Sequence, residues 1–549
     1  MEGYTTFKGL SIAQYHVFFR TEKVSKDTIK EKVSKLNLCK SLVIVNAFST
    51  LQYNSMFCIK EAEDTFNFLK CAYLGYCNNM KPLANDCYSF GIVELFSKQS
   101  LLNLTKWLLA YANDTVSLEA PTGDEVMELL TIHLMLADYL PAEEVGSESV
   151  ENEYSYLSQY YATDANPMLN IVRGYELFVS SLEQIEDHNK RFEQCYKTTI
   201  KDYYKSTLIL FSQQIDPACY CMGFPLSGVK NISSCNPLLK TYVNNHSTSV
   251  EEARASAIEC IDNIWDYRFI YTHKHILKLG EYFLPLSISS LSNQLYLGLF
   301  WKICGCYKGT EFQEVFGGVF EKYIQKLLSH LDGINNHRFI NERDFPKTGA
   351  SRGKTSDGYI LKGENLLIFE CKGKSPLEGV NIDYKLDMIN KNADRMIICP
   401  AKQVDDCYNQ MLKYDSEFIE IDKEIKNIYI ATVCSESMQI TPYVWNKVNH
   451  DLFVEGRMLK CEEKNNAKEK NSKILNKKIK GVLHFSSEDV EMLCSILLDD
   501  SEDDIFNIIK SYLNGTQTCF SAFLYDTGKL KLNNSLFKNK MSDIIQNLT

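Results

Sequence analysis

The residues of this chain best suited to chemistry lie in one stretch, Thr355-Ser-Asp-Gly-Tyr-Ile-Leu-Lys-Gly-Glu-Asn-Leu-Leu-Ile-Phe-Glu-Cys-Lys372. Asp357 and Glu370 offer carboxylate oxygens, and Lys372 offers an ammonium. Their spacing is that of a β-hairpin. Tyr359, Ile360 and Leu361 make one apolar run, Leu366, Leu367, Ile368 and Phe369 a second, and Lys362-Gly-Glu-Asn365 between them is turn chemistry. Pairing Leu361 with Leu366 fixes an antiparallel register in which Asp357 falls opposite Glu370. Opposed residues have Cβ atoms roughly 4.5–5.5 Å apart, where like charges repel. Side chains alternate with period two, so Lys372 shares that face and Cys371 takes the other.

A solvent-facing hairpin in which Lys372 merely offsets two acids would explain the pattern for an arbitrary sequence. The apolar run before Glu370 instead indicates a buried strand, where uncompensated charge is expensive. A hard divalent ion would relieve the repulsion, because Mg²⁺ is held by one or two carboxylates together with substrate phosphate.

Asp357 followed by Glu370-Cys-Lys372 resembles the active-site signature of the PD-(D/E)xK nuclease superfamily, over about a quarter of the chain, from near Thr310 to about Val448. Ser356 stands where the name-giving proline would be. The resemblance implies an α/β restriction-endonuclease-like core, a mixed central sheet flanked by helices. It implies Mg²⁺ or Mn²⁺ held by Asp357, Glu370 and the Cys371 backbone carbonyl, with Lys372 acting on the nucleophilic water. It further implies Glu321 from the first helix of the core and Gln403 from a following helix as additional catalytic residues, Glu321 also touching the metal. Helical periodicity alone leaves both open to reading as ordinary flank residues.

Around this stretch the elements can be placed. Thr310-Glu-Phe-Gln313 looks like a capping box opening a helix with a stripe of Val315, Phe316, Val319, Phe320, Tyr323, Ile324, Leu327 and Leu328. Gly317-Gly318 lies off that stripe, where another backbone could come close. Arg338, Arg343, Lys347, Arg352 and Lys354 precede the hairpin, and Lys374 follows it. These are the candidate phosphate-backbone contacts, which would give affinity without reading sequence. Helical character runs from Asp383 to about Tyr414 with a break at Pro400, and Asn427–Cys434 reads as a buried central strand.

The rest is less informative. Residues 1–305 read as mostly helical: Leu42–Phe48 as a strand or buried helix, Thr122-Gly-Asp-Glu125 as a capping box, and Asn170–Lys205 as two amphipathic patterns broken near His188. His133 is expected to be a core histidine, and His273 and His275 to lie on a helix surface. Lys201, Lys205 and Arg191 beside Tyr203 and Tyr204 read as a solvated helix face that could also touch phosphate. Residues 451–480 are a Lys/Asn-rich linker, and 481–549 a small helical module in which Ser501-Glu-Asp-Asp504 opens a capped helix ending at Gly515. The expected domains are therefore 1–305, a nuclease domain at 306–450, and these two C-terminal segments.

The 549 residues carry a net charge of −11, so any polyanion-binding surface must be local. Nineteen cysteines without an apolar leader suggest free thiols in a reducing cytoplasm, and no run is apolar enough to span a membrane. Cys219/Cys221 and Cys304/Cys306 read as buried thiols rather than zinc ligands. The expected function is metal-dependent hydrolysis of DNA to 5′-phosphate ends, by analogy with bacterial nucleases that defend against phage. The N-terminal region would engage a partner defence protein or a second copy. An RNase on the same core, or a non-catalytic nucleic-acid-binding scaffold, is the alternative.

Overall fold

The computed structural model describes residues 21–55, 60–80, 98–117, 119–139, 167–182, 186–214, 230–263, 275–344, 355–376, 385–436, 438–454, 478–499, 503–515, 519–527 and 535–548, with residues 15, 19 and 96 singly. They divide into two compact units, Met1–Gly146 with Arg173–Cys306, and Ser147–Val172 with Tyr307–Thr549. The fold is mixed α/β, with a small mixed sheet in each unit. No described helix is long and apolar enough to cross a membrane.

The first unit is mostly helical. Helices α1 (Lys26–Lys35), α2 (Leu38–Ser55), α3 (Lys98–Tyr111) and α4 (Gly123–Ala137) pack around Leu42, Leu104, Leu108, Leu129 and Leu130. The Leu42–Phe48 segment is thus helical, and Thr122 forms the expected capping box with Glu125. His133 is buried, its Nε2 2.8 Å from Ser100 Oγ. The amphipathic patterns after Asn170 end in α5 (Ile200–Gln214). Tyr203 and Tyr204 are both buried and Arg191 pairs with Asp187, so the phosphate-contact reading fails for those three residues. Short strands β1 (Lys230–Asn231), β2 (Ser247–Ser249), β3 (Ile276–Leu279) and β4 (Tyr282–Pro285) form a sheet in the order β1-β4-β3-β2. His275 just ahead of β3 is buried against Tyr242, not on a helix surface, whereas His273 lies outside the described residues.

The second unit opens with α6 (Glu311–Ser329), whose Phe312, Phe316, Phe320, Tyr323, Ile324, Leu327 and Leu328 are buried as the stripe requires. Thr310 makes no side-chain cap bond, against expectation. Strands β5 (Arg338–Asn341), β6 (Gly358–Lys362), β7 (Asn365–Lys372), β8 (Asn427–Cys434) and β9 (Ile479–Ser486) form one sheet in sequence order. β5, β6 and β7 are antiparallel, and β8 and β9 run parallel to β7. Parallel strands covered on both faces read as unbroken apolar runs, which is what β7 and β8 are.

Between β7 and β8 lie α7 (Leu386–Ala393), a π-helical turn at Asp394–Ile398, α8 (Cys399–Tyr414) with Pro400 in its first turn, and α9 (Ser416–Glu424). α8 packs on β7 and β8. β9 corrects the expectation of a purely helical C-terminal module, since Ile479–Ser486 completes the sheet beside β8. Its Val482, Leu483 and Phe485 are buried, but flanking Lys478 and Lys480 hide that run in a basic sequence context. Helix α10 (Ser487–Asp499) then packs against α6, and α11 (Ile505–Asn514) is capped by Asp504 and followed by Gly515.

Candidate active site

The β6–β7 register pairs Leu361 with Leu366 and Gly358 with Phe369. The ladder ends there and slips by one residue, for the Asp357 amide turns to the Phe369 carbonyl, at 3.1 Å. The expected Asp357–Glu370 pair is therefore not part of the ladder, although both residues are almost wholly buried and lie on either side of the Cys371 amide. Their carboxylates are held differently. Asp357 Oδ2 accepts from the Cys371 amide at 2.6 Å, whereas Glu370 Oε1 accepts from Lys372 Nζ at 2.6 Å. Lys372 keeps about a fifth of its side chain exposed, so the buried Glu370 meets an ammonium that reaches solvent.

On the other side of Asp357 the β5–β6 register ends with Asn341 paired to Gly358, and Glu342 follows directly after it. The Arg343 amide donates to Thr355 Oγ1 at 2.8 Å and the Thr355 amide to the Arg343 carbonyl at 2.9 Å, tying the two chains together beyond the ladder. Ser356 is fixed in turn by its amide, which donates to the buried Tyr359 hydroxyl at 2.9 Å. Glu342, just past β5, and Asp357, just ahead of β6, thus lie near the end of β7 that carries Glu370.

Helix α6 contributes the next acid. Gln325 Nε2 donates both to Glu321 Oε1 at 3.3 Å and to the Asp357 carbonyl at 2.9 Å, one helical turn of α6 bridging to the hairpin. Carboxylate oxygens of Glu321, Glu342 and Asp357 lie within 4.8 Å of one another. At an effective dielectric of about 20, each such pair of like charges costs roughly 3–4 kcal/mol. The donor set is three carboxylates with no nitrogen or sulfur, which suits a hard dication such as Mg²⁺ or Mn²⁺ and not zinc.

The glycine after Lys372 lets the helix approach. A Cβ on Gly373 would meet Phe316 Cδ1 at 3.0 Å and Gly317 Cα at 3.2 Å, so the close backbone approach expected at Gly317-Gly318 is made by Gly373. Neither Gly317 nor Gly318 would bring a Cβ near any neighbour. Cys371, on the opposite face, is buried. Burial first, and then the charges of Asp357, Glu370 and Glu321, push its thiol well up and keep it protonated.

The structure therefore gathers Glu321 and Asp357 with Glu342, and joins Glu370 to Lys372. Glu342 escaped the sequence reading because it sits between Arg338 and Arg343 in a stretch that reads as basic. Pairing the alternating Arg338–Asn341 run with Gly358–Leu361 would have exposed it.

The other expected residues are distributed differently. Gln403 lies half-buried on α8, and no hydrogen bond among the described residues ties it to the acids. Arg338 pairs with Glu417 at 2.5 Å. Arg343 pairs with Asp415 at 2.7 Å and with Glu417 at 3.1 Å. Both arginines fasten the β5 segment to α9 through these ion pairs. Lys347, Arg352 and Lys354 lie outside the described residues. Lys374 is half-buried beyond the γ-turn-like bond from its own amide to the Lys372 carbonyl at 2.6 Å. No family model, curated protein or solved structure matches the chain.

Proposed function

We propose that the second unit is a metal-dependent nuclease that hydrolyses phosphodiester bonds of DNA, leaving 5′-phosphate ends. The observation that carries this reading is the packing of three carboxylates, Glu321, Glu342 and Asp357, beside the Glu370–Lys372 ion pair at one edge of the sheet. The sheet's make-up, an antiparallel hairpin followed by parallel strands with helices packed on it, supports the resemblance to the restriction-endonuclease-like core.

Asp357, Glu321 and Glu342 would hold the ion, with Glu370 adjoining the Cys371 amide from which Asp357 accepts. A bound Mg²⁺ or Mn²⁺ supplies Lewis acidity toward a phosphoryl oxygen and makes water a better nucleophile at neutral pH. Lys372 keeps its Nζ against Glu370 and presents the cation that orients the attacking water and offsets charge developing on the phosphoryl group. Gln325 keeps Glu321 and the Asp357 backbone in a fixed relation, so the ligands need little rearrangement. The family resemblance also supports a part in bacterial defence against foreign DNA, in the cytoplasm.

The test is incubation of the full chain with plasmid DNA, and separately with RNA, in the presence of Mg²⁺. Cleavage of DNA is expected, and EDTA should abolish it. Lys372→Ala should fold normally and lose at least about a hundredfold in rate, the scale of one transition-state stabiliser. Cleavage of RNA alone would reassign the substrate, and undiminished cleavage by Lys372→Ala would remove the active-site assignment.

A further inference from the structure

Next to the acids, the sheet edge carries a second, oppositely charged cluster. Lys372 ends β7, Lys374 follows it after the glycine turn, and Arg395 comes from the π-helical turn between α7 and α8. Lys374 and Arg395 are both half-buried, and among the described residues neither pairs with a carboxylate. Their polar contacts are neutral. Lys374 Nζ donates to the Arg395 carbonyl at 3.3 Å, and an Arg395 guanidinium nitrogen donates to Asn392 Oδ1 at 3.4 Å.

The backbone that presents them is held firmly. Ser435, just past β8, donates to the Lys374 carbonyl both from its amide at 3.1 Å and from its hydroxyl at 2.7 Å. Ser375 Oγ lies 3.2 Å from Ser435 Oγ and ties the same segment down again. Isolated π-helical turns within α-helices cost hydrogen-bond geometry and concentrate at functional sites. Here such a turn sets Arg395 beside Lys374. Burial, then Arg395 and Lys372, push the Lys374 ammonium below the ordinary lysine range, and burial lowers the Arg395 guanidinium as well. Two partly desolvated cations kept together without a counter-charge are costly unless an anion joins them.

We propose that Lys374 and Arg395 form a seat for one phosphate group of the substrate strand, neighbouring the phosphate that is cleaved. The substrate's identity as nucleic acid rests on the nuclease reading above. The seat itself rests on the pair's own geometry. Guanidinium and ammonium divide the work. Arg395 offers a planar fork that matches phosphate oxygens, and Lys374 adds a point charge between that fork and Lys372. A seat fixed to both β7 and the α7–α8 turn would set the register of the strand over the carboxylates without reading bases.

Two measurements on the full-length protein, in EDTA so that no cleavage occurs, test this. Inorganic pyrophosphate should raise the wild-type melting temperature saturably, and Lys374→Gln and Arg395→Gln should each lose that rise. Circular dichroism would confirm that each variant is folded. Labelled duplex DNA should bind each variant about tenfold more weakly, with the salt dependence reduced by about one phosphate contact. Pyrophosphate protection that is absent from wild type, or equal in wild type and both variants, overturns the seat. Protection that follows the two residues, in a protein that cleaves neither DNA nor RNA, upholds the seat and rejects the nuclease reading instead.

Discussion

Gln325 Nε2 lies 2.9 Å from the carbonyl oxygen of Asp357, and the same amide reaches Glu321 Oε1 at 3.3 Å. One side chain on α6 therefore fixes the distance between a helix-borne acid and a strand-borne one. Gln325→Leu keeps the approximate volume and removes both donors. It should cost about 1–2 kcal/mol in urea unfolding, the scale of losing a partly buried hydrogen-bond partner. It should also weaken Mn²⁺ binding, since Glu321 would no longer be held in place. Unchanged metal affinity would mean that Glu321 is not a ligand.

Glu342 just past β5 and Asp357 just ahead of β6 bring their carboxylate oxygens within 4.8 Å, and their repulsion makes a prediction with two signs. Without divalent ion, Glu342→Gln should stabilise the protein by about 1–3 kcal/mol, because one of three crowded charges is gone. In millimolar Mg²⁺ the order should reverse, since wild type gains binding energy that the variant has lost. Thermal melts of both proteins in EDTA and in Mg²⁺ check this. A variant that is less stable than wild type in both buffers would make Glu342 a purely structural residue.

Gly373 and Gly317 meet at the close approach of α6 to the end of β7, but they should respond oppositely to alanine. A Cβ on Gly373 intrudes on Phe316 and on the Gly317 backbone, so Gly373→Ala should cost about 1–3 kcal/mol. A Cβ on Gly317 meets nothing within 4 Å, so Gly317→Ala should be neutral or stabilise by about 0.5–1 kcal/mol through helix propensity. Parallel denaturant titrations separate the two.

How much of this is legible in the sequence depends on how local the signal is. The register of the hairpin from Leu361–Leu366 to Gly358–Phe369 follows from two apolar runs and a four-residue turn, whereas the slip at Asp357 is not found by counting outward. The buried stripe of α6 and strand β8 are equally plain, each being a continuous apolar pattern. β9 is not, because its short apolar run follows directly on a lysine-rich stretch and its partner β8 is far away in sequence. Glu342 is hidden for the same reason, since its neighbours across the sheet come from beyond a long connection. The partners of Arg338 and Arg343, Asp415 at the cap of α9 and Glu417 in its first turn, are not legible either, because charge alone does not disclose a partner. Arg395 gives no signal at all, for nothing local marks a π-helical turn.

His484 on β9 should make the second unit acid-sensitive. Its Nδ1 lies 3.1 Å from Thr432 Oγ1, and its Nε2 accepts from the Met438 amide at 3.2 Å, an arrangement that needs a neutral ring. Burial lowers its pKa to about 3, below the 6.5 expected when unfolded. Between those values the unfolded state binds the extra proton, so stability falls as pH drops from about 6.5 toward 3. The slope from this one group is at most about 1.4 kcal/mol per pH unit. His484→Gln should flatten that part of the profile. The check is urea unfolding from pH 7 downward, and an unchanged slope in the variant would assign the acid sensitivity elsewhere.

The most direct measurement is a Mn²⁺ titration of the full-length protein followed by electron paramagnetic resonance, comparing wild type with Asp357→Asn. Asp357 ties the cluster together, its carboxylate grouped with those of Glu321 and Glu342 and its Oδ2 accepting from the Cys371 amide next to Glu370. Saturable binding in wild type that weakens at least about tenfold in the variant is expected, the scale of losing one carboxylate ligand. No saturable binding in wild type, or equal affinity in both proteins, would contradict a metal-dependent site built on these acids.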